Sequence, residues 1–164
     1  MKNRSESLKK LKEFALKRKR KQHPHWPDHI LTAKNYSDKT ANKLTEAIKE
    51  FLQMSGWQAE RINCMGRMID RRKTYIDVVG FKRTIGSIEW VRSTGTPGTA
   101  DISATIKGRS VKIEIKIGAD RQSEAQRNYQ QNIERSGGVY FIARNFDDFI
   151  DWYSNTFKIE PFII

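Results

Sequence analysis

The chain has little of what marks several protein classes. Of its 164 residues only Cys64 is a cysteine, so an internal disulfide is excluded and a reducing cytoplasm is expected. No apolar run approaches the length of a membrane span, and none follows the N-terminal charges as it would in a signal peptide. The hydrophobic content, 37%, is low for a compact globule. We therefore expect one cytoplasmic domain, part of the chain outside its core, and no membrane partner.

Acidic residues are scarce beside basic ones. The chain has 31 Lys and Arg against 19 Asp and Glu, a net charge of +12. Residues 1–21 alone carry +8, and the remainder carries +4. A basic segment on a mildly basic domain indicates a polyanionic partner, whose phosphates it would contact in a salt-sensitive way. The alternative is a disordered, solubilising tail.

The first 36 residues read as a basic arm and a linker. The run of charge over residues 17–21 would repel itself, so we expect the arm to become ordered only against phosphate. Pro24 and Pro27 exclude a helix from the next segment. Its three histidines lack the spacing of a known zinc class, and we interpret them as linker residues. The division predicted is residues 1–36 for arm and linker and 37–164 for the functional domain.

The remaining pattern predicts an α/β fold with a mixed central sheet flanked by helices. Apolar residues at spacings of three and four predict a helix over 38–55, capped by Ser37 or Asp38. A strand–helix–strand unit over 110–143 is long enough for a right-handed crossover, which predicts parallel strands. The other expected elements are an extended segment at 57–63, an irregular hairpin or flap at 67–86, a short strand at 87–92, a helix at 123–136, an interior strand at 139–143 and a final helix capped by Asn145.

Two strands with strict alternation are the clearest elements of the chain. They span residues 100–106 and 110–117, and a turn containing Gly108 separates them, so they should pair as a hairpin. Their register would place Asp101 near Glu114 or Lys116 on one polar face.

That polar face has the groups that phosphodiester hydrolysis needs. Two carboxylates can hold Mg²⁺ through oxygen ligands, and the ion would activate water and polarise a phosphoryl oxygen. Lys116 projects from the same face as Glu114 and can position the water or stabilise developing charge. A strand of alternating Lys and Glu is also what a solvated sheet edge looks like, so the tripeptide alone is a weak signal.

Taken together, the motifs resemble those of the PD-(D/E)xK nuclease superfamily, in its VRR-NUC and Holliday-junction-resolvase-like branch. The resemblance rests on Asp101, the E-I-K tripeptide at 114–116 and the R-Q-S-E-A-Q segment at 121–126. The R-I-N-C-M-G segment at 61–66 also resembles the Arg-x-Asn…Gly segment of that family. The likeness covers roughly residues 38–153 and implies a restriction-endonuclease-like core.

The resemblance also implies roles for individual residues. Asp101, Glu114 and the main-chain carbonyl of Ile115 would bind the metal, Mg²⁺ with Mn²⁺ able to substitute, and no small-molecule cofactor is implied. Lys116 would act on the nucleophilic water, and Gln126 would support substrate or metal-bound water. Gln126 has a second interpretation, as the partner of Ser123 in a helix capping box. Basic residues that are candidates for nucleic-acid contacts, or for surface solubility, are Arg61, Arg109, Lys112, Arg121 and Arg127.

The chain departs from the family pattern at two positions. Ala100 stands where a proline usually precedes the Asp. A Glu that often serves as a further ligand on the first helix falls near Ala41, and Glu46 lies opposite the apolar stripe, so it is expected on the surface. This favours one metal ion rather than two.

The functional prediction is a Mg²⁺-dependent endodeoxyribonuclease, with branched or junction DNA as a candidate substrate class. A homodimer would let such an enzyme cut two strands symmetrically. The alternatives are a non-catalytic nucleic-acid-binding protein on a nuclease-like scaffold, and a nuclease subunit whose partner supplies specificity.

Overall fold

The computed structural model describes residues 6–62 and 66–163. They divide into two compact units, one from Met1–Ile62 with Gly98–Ile164 and the other from Asn63–Pro97. In chain order the described elements are α1 Glu6–Gln22, α2 Ala41–Met54, β1 Gln58–Arg61, β2 Arg67–Asp70, β3 Lys73–Ile76, β4 Lys82–Ile85, β5 Ile88–Val91, β6 Ile102–Ile106, β7 Arg109–Ile115, α3 Glu124–Arg135, β8 Val139–Ala143 and α4 Phe146–Phe157. No helix in these ranges is long and apolar enough to cross a bilayer.

The first unit is an α/β structure around one mixed sheet, as the sequence predicts. Its strand order is β1-β6-β7-β8. β6 runs antiparallel to β1 and β7, and β8 is parallel to β7, which confirms the predicted crossover. The prediction that residues 139–143 form an interior strand is wrong, because β8 is at the edge of the sheet. Its apolar side chains are explained by packing from α3 and α4.

The core lies between one face of this sheet and three helices. Side chains of β6 and β7 alternate in burial, with Ile102, Ile106 and Ile113 fully buried. They pack against the apolar stripe of α2, whose Phe51 ring contacts Phe146 and two other aromatic rings of α4. Each large side chain buried in this way contributes roughly 2 kcal/mol or more of transfer free energy.

Helix α1 belongs to the same core. Leu11 and Phe14 are buried, and the Phe14 ring contacts the rings of Phe51 and Phe162. The helix is therefore ordered by apolar packing, and phosphate is not needed to form it. Its basic residues are exposed or half-buried, and Arg18 donates to the Met54 carbonyl of α2. The phosphate-binding role of the arm, and the boundary after residue 36, stay predictions.

The predicted cap of α2 is replaced by a different residue. The helix begins at Ala41, and Thr40 is its N-cap, with Oγ1 accepting a hydrogen bond from the Lys43 amide at 3.4 Å. Asp38 is used elsewhere, since its Oδ2 accepts from the Phe146 amide at 3.2 Å. The predicted cap at Ser37 or Asp38 is wrong because Asp38 joins two helices of the unit instead.

The second unit is a two-stranded antiparallel ribbon. β2 pairs with β5 and β3 pairs with β4. The pairing of β2 with β5 continues into the pairing of β3 with β4 without a shift of register. Between the two pairs, the Arg71 amide donates to the Ser87 carbonyl at 3.0 Å. The two pairs therefore form one continuous ribbon over 67–91. The sequence predicted an irregular hairpin at 67–86 and a separate strand at 87–92. The structure joins them because residues 88–91 are the partner of residues 67–70.

Candidate active site

The site is built on the β6–β7 hairpin. Lys107 and Gly108 form its two-residue turn, both with positive φ (48° and 74°), as a type I′ turn requires. Ile102 pairs with Ile113, so the next residues toward the open end, Asp101 and Glu114, face each other. The predicted hairpin and its register are confirmed.

Asp101 is held at the open end of the hairpin by main-chain contacts. Its Oδ2 accepts a hydrogen bond from the Ile115 amide at 2.8 Å, and its carbonyl accepts from the Ile62 amide at 2.8 Å. The side chain is half-buried. One carboxylate oxygen is therefore used to lock the hairpin, which fixes the direction of the other.

Glu114 and Lys116 are charged residues in a buried position. Their exposed fractions are 2% and 6%. Oε1 of Glu114 accepts from Gln126 Nε2 at 2.5 Å and lies 3.2 Å from Lys116 Nζ. Oε2 is also buried and has no hydrogen-bond partner among the described residues. A buried carboxylate oxygen without a donor is costly, and such groups in native proteins usually have a specific use.

Burial and, after it, the negative charge of Asp101 raise the pKa of the Glu114 carboxyl to about 7, against the opposing effect of Lys116. Loss of hydration disfavours the ionised form, and a neighbouring like charge adds to that cost. The phenol of Tyr140, on the neighbouring strand, also has a raised pKa because of burial and of the charge on Glu114. The site is thus a compact negative pair in a poorly hydrated setting.

Lys116 has a second acidic partner that sequence reasoning missed. Its Nζ lies 3.4 Å from Asp120 Oδ2 as well as 3.2 Å from Glu114 Oε1. Asp120 lies in the bend after β7, where nothing in the pattern distinguishes it from an ordinary loop acid. The two contacts hold the Lys116 ammonium at the rim of the site.

Gln126 forms the capping box that was one of its two interpretations, while its support of substrate or metal-bound water stays a prediction. Its Oε1 accepts from the Ser123 amide at 2.9 Å while Ser123 Oγ accepts from the Gln126 amide at 3.3 Å, which completes a capping box. Its Nε2 remains free to donate to Glu114. The start of α3 is therefore tied directly to the metal-ligand candidate.

Gly98 positions α3 from the other side. It has φ +79°, and a Cβ there would lie 2.2 Å from the Ala125 carbonyl oxygen and 2.7 Å from the Gln126 amide nitrogen. At Gly98 the backbone that approaches closely is the first turn of α3.

Two of the five candidate nucleic-acid contacts lie on β7, and the other three lie outside the hairpin. Arg109 begins β7 at the turn end of the hairpin, five residues from Glu114, or about 17 Å along the strand. Lys112 donates to Ser103 Oγ at 2.5 Å, on the polar face. The three outside the hairpin, like Arg109, are exposed: Arg61 donates to Asn42 Oδ1 at 2.8 Å, Arg127 to the Gln122 carbonyl at 2.9 Å, and Arg121 lies in the segment before α3.

The acids of α2 are occupied away from the hairpin. Lys34 Nζ lies 2.5 Å from Glu46 Oε1 and also contacts Glu50, whose other oxygen accepts from the Tyr36 hydroxyl at 2.9 Å. Lys34 lowers the pKa of the Glu46 carboxyl. The expectation that Glu46 is a surface residue is confirmed.

The donor set at the hairpin fits a divalent cation that prefers oxygen. The observation that supports this fit is Glu114 Oε2, a buried carboxylate oxygen that receives no hydrogen bond from the described residues. No group of three or more His, Cys, Asp or Glu side chains is placed to hold a metal anywhere in the described residues, the hairpin included. An ion here would thus rest on two carboxylates, and the Ile115 carbonyl as its third ligand stays a prediction.

Residues 63–65 of the R-I-N-C-M-G segment lie outside the described residues.

Comparison of the chain with family models and with curated protein sequences gave no match.

Proposed function

We propose that the protein is a Mg²⁺-dependent endonuclease that hydrolyses DNA phosphodiester bonds in the cytoplasm. The observation that supports it most strongly is Oε2 of Glu114, which is buried beside Asp101 and has no hydrogen-bond partner among the described residues. A scaffold hairpin would gain stability from an apolar residue at this position, whereas a Mg²⁺ site needs oxygen ligands such as a carboxylate.

Asp101 and Glu114 would hold Mg²⁺, or Mn²⁺ in its place. When bound, the ion would lower the pKa of a water and polarise the scissile phosphoryl oxygen. Asp101 brings its carboxylate to the pair already oriented by the Ile115 amide. Gln126 holds Glu114 through Oε1 and leaves Oε2 available for the ion.

Lys116 would orient the attacking water or stabilise charge on the phosphate. Its ammonium is fixed between Glu114 and Asp120, so little conformational entropy is lost when it acts. A preorganised cation in a poorly hydrated site typically contributes 10²–10³-fold to the rate.

The order of elements supports a restriction-endonuclease-like core and membership of the PD-(D/E)xK superfamily. In chain order the first unit has a helix, three antiparallel strands, a second helix and a parallel strand, which are α2, β1, β6, β7, α3 and β8, and the 67–91 ribbon is inserted between β1 and β6. The predicted acid, E-x-K strand and Gln-bearing helix come together at one end of this sheet.

DNA is the proposed substrate because of the charge of the chain, and junction or branched DNA is the proposed class. The net charge of +12 would supply phosphate contacts. A homodimer would place two such sites for symmetric cleavage.

The deciding experiment incubates the purified full chain with supercoiled plasmid and with a four-way DNA junction, with and without Mg²⁺. We expect metal-dependent cleavage that Lys116→Met abolishes while leaving DNA affinity nearly unchanged. Binding of both substrates without cleavage in Mg²⁺ or Mn²⁺ would instead support the non-catalytic alternative. Normal cleavage by Lys116→Met would overturn the role given to that residue.

A further inference from the structure

The ribbon at 67–91 is exposed on both faces although it is rich in apolar side chains. Ten of the thirteen large hydrophobic residues that are exposed in the described chain belong to it. Every residue of β3, β4 and β5 is exposed. Exposed apolar surface of this extent usually marks a binding site.

Alternation assigns the side chains of the ribbon to two faces. One face, which we call the basic face, carries Arg67, Arg71, Lys73 and Arg83. Each of its six cross-strand rows contains one charged residue, so the apolar side chains between them form no continuous stripe. A surface of this kind is unsuited to packing against a second copy of itself, since like charges would oppose one another.

The acidic residues of the ribbon are neutralised within it. Arg71 pairs with Glu89 and Arg83 pairs with Asp77, each at 2.8 Å. On the other face Arg72 pairs with Asp70 at 2.7 Å. Seven basic and three acidic residues give the ribbon and its flanks a charge of +4. Arg67 and Lys73 have no ion-pair partner in the described chain, so their charges are available to a polyanion.

The tip of the ribbon is ordered and apolar. Asp77 Oδ1 accepts from the amides of Val79 and Phe81 at 3.0 and 2.9 Å, which closes the turn. Val78 and Val79 then project into solvent, with exposed fractions of 106% and 72%. A turn that is closed by hydrogen bonds and apolar at its end can enter a nucleic-acid groove and contact base edges or wedge a base step.

We propose that this ribbon is a second DNA-binding element, one that grips duplex DNA. A two-stranded ribbon fits the major groove, and ten residues of extended strand reach about 33 Å, close to one turn of B-DNA. The basic face contacts phosphates through Arg67 and Lys73, and the tip enters the groove. The inference rests on the proposed function for the identity of the partner.

The test measures binding of a 30-base-pair duplex to the full chain in EDTA, by fluorescence anisotropy at 50–200 mM salt. The ribbon variant is Arg67→Gln with Lys73→Gln. The control variant is Lys39→Gln with Arg135→Gln, which removes the same charge from the other unit. We expect the ribbon variant to lose roughly tenfold in affinity at low salt and about two from the slope of log K against log salt, and the control to lose much less. Val78→Ser with Val79→Ser should weaken binding without changing that slope.

Binding by the ribbon variants that is indistinguishable from that of the control would overturn the proposal. It would also be overturned if sedimentation showed a dimer that the Val78 and Val79 substitutions dissociate while duplex affinity stays unchanged. If the double charge variant alters the melting temperature, Lys73→Gln alone carries the test, with a slope change of about one. Because no cleavage is read in EDTA, failure of the proposed catalysis would leave this result interpretable.

Discussion

The β6–β7 hairpin and the 67–91 ribbon place the same chemistry in opposite environments. In each, a carboxylate lies beside a cation: Glu114 beside Lys116 at 3.2 Å, and Asp70 beside Arg72 at 2.7 Å. The pKa of the Glu114 carboxyl is raised to about 7, chiefly by burial, whereas Arg72 lowers that of the exposed Asp70 to about 2. Distance to a cation does not decide the shift. Access to water does, because only the buried carboxylate loses its hydration.

This difference separates a site from a surface. The exposed pair is already satisfied and contributes little to stability. Within the part of the chain that the structure describes, the buried pair leaves one carboxylate oxygen without a donor, and the folded protein retains that cost. We interpret the unsatisfied carboxylate oxygen at the hairpin as a sign of a functional site. The exposed pair in the ribbon carries no such free-energy cost, and we interpret the ribbon as a contact surface.

The largest contrast is expected in cleavage. Glu114→Gln keeps the shape of the side chain and removes one of the two charges proposed to bind the metal, so we expect a loss of roughly 10³-fold in Mg²⁺-dependent rate. Asp70→Asn makes the same chemical change in the ribbon and should leave the rate within about twofold, since exposed pairs contribute little. Comparable rates for the two variants would remove the distinction between the two regions.

A smaller contrast is expected between two glycines with positive φ. Gly98 has φ +79° and Gly80 in the ribbon tip has φ +88°, but only Gly98 has neighbouring atoms where a Cβ would stand. Gly80→Ala should cost about 1–2 kcal/mol from backbone strain alone. Gly98→Ala should cost a further 1–3 kcal/mol, because the first turn of α3 must move, and Gln126 moves with it. Thermal melting measures both, and equal losses would show that α3 is not fixed through Gly98.

The pH dependence of stability should separate the regions next. Glu114 holds its proton up to about pH 7 in the folded chain but only to its ordinary value of 4.5 when unfolded. Between these values the folded state binds more protons, so stability present below pH 4.5 is lost as pH rises to 7. The loss is at most roughly 3 kcal/mol, from 1.36 kcal/mol per pKa unit.

Melting in EDTA from pH 4.5 to 8 measures this loss. Glu114→Gln should flatten the profile. Asp70→Asn should not, because the lowered pKa of Asp70 places its titration below this range. A wild-type profile as flat as that of Glu114→Gln would contradict the burial of this carboxylate in solution.

Local pattern was sufficient to predict the geometry of the hairpin but not its environment. Strict alternation and the Lys107-Gly108 turn fixed the register of Asp101 against Glu114, and Asn145 marked the start of α4 correctly. Alternation alone placed Glu114 and Lys116 on a polar face, which looks the same in sequence as a solvated sheet edge. The structure shows that α3 contacts this face and that both side chains are buried. Burial by the helix that follows the strand leaves no signal in the alternation of the strand itself.

Two other features could not be predicted from local pattern. Asp38 resembled a helix cap, but its hydrogen bond goes to the amide of Phe146, more than a hundred residues away. The continuous ribbon was divided at Gly86, whose φ of +96° is accommodated without breaking the register. A glycine with positive φ ends many strands, so its place inside one could not be predicted from composition.

The most direct test of the central claim is a titration of the full chain with Mn²⁺ at pH 8, where Glu114 is ionised, followed by calorimetry or electron paramagnetic resonance. We predict one bound ion per chain, lost in Asp101→Asn and in Glu114→Gln and retained in Asp70→Asn. Binding that persists with unchanged stoichiometry in both hairpin variants, or no binding to the wild type, would contradict the claim that Asp101 and Glu114 share a metal ion.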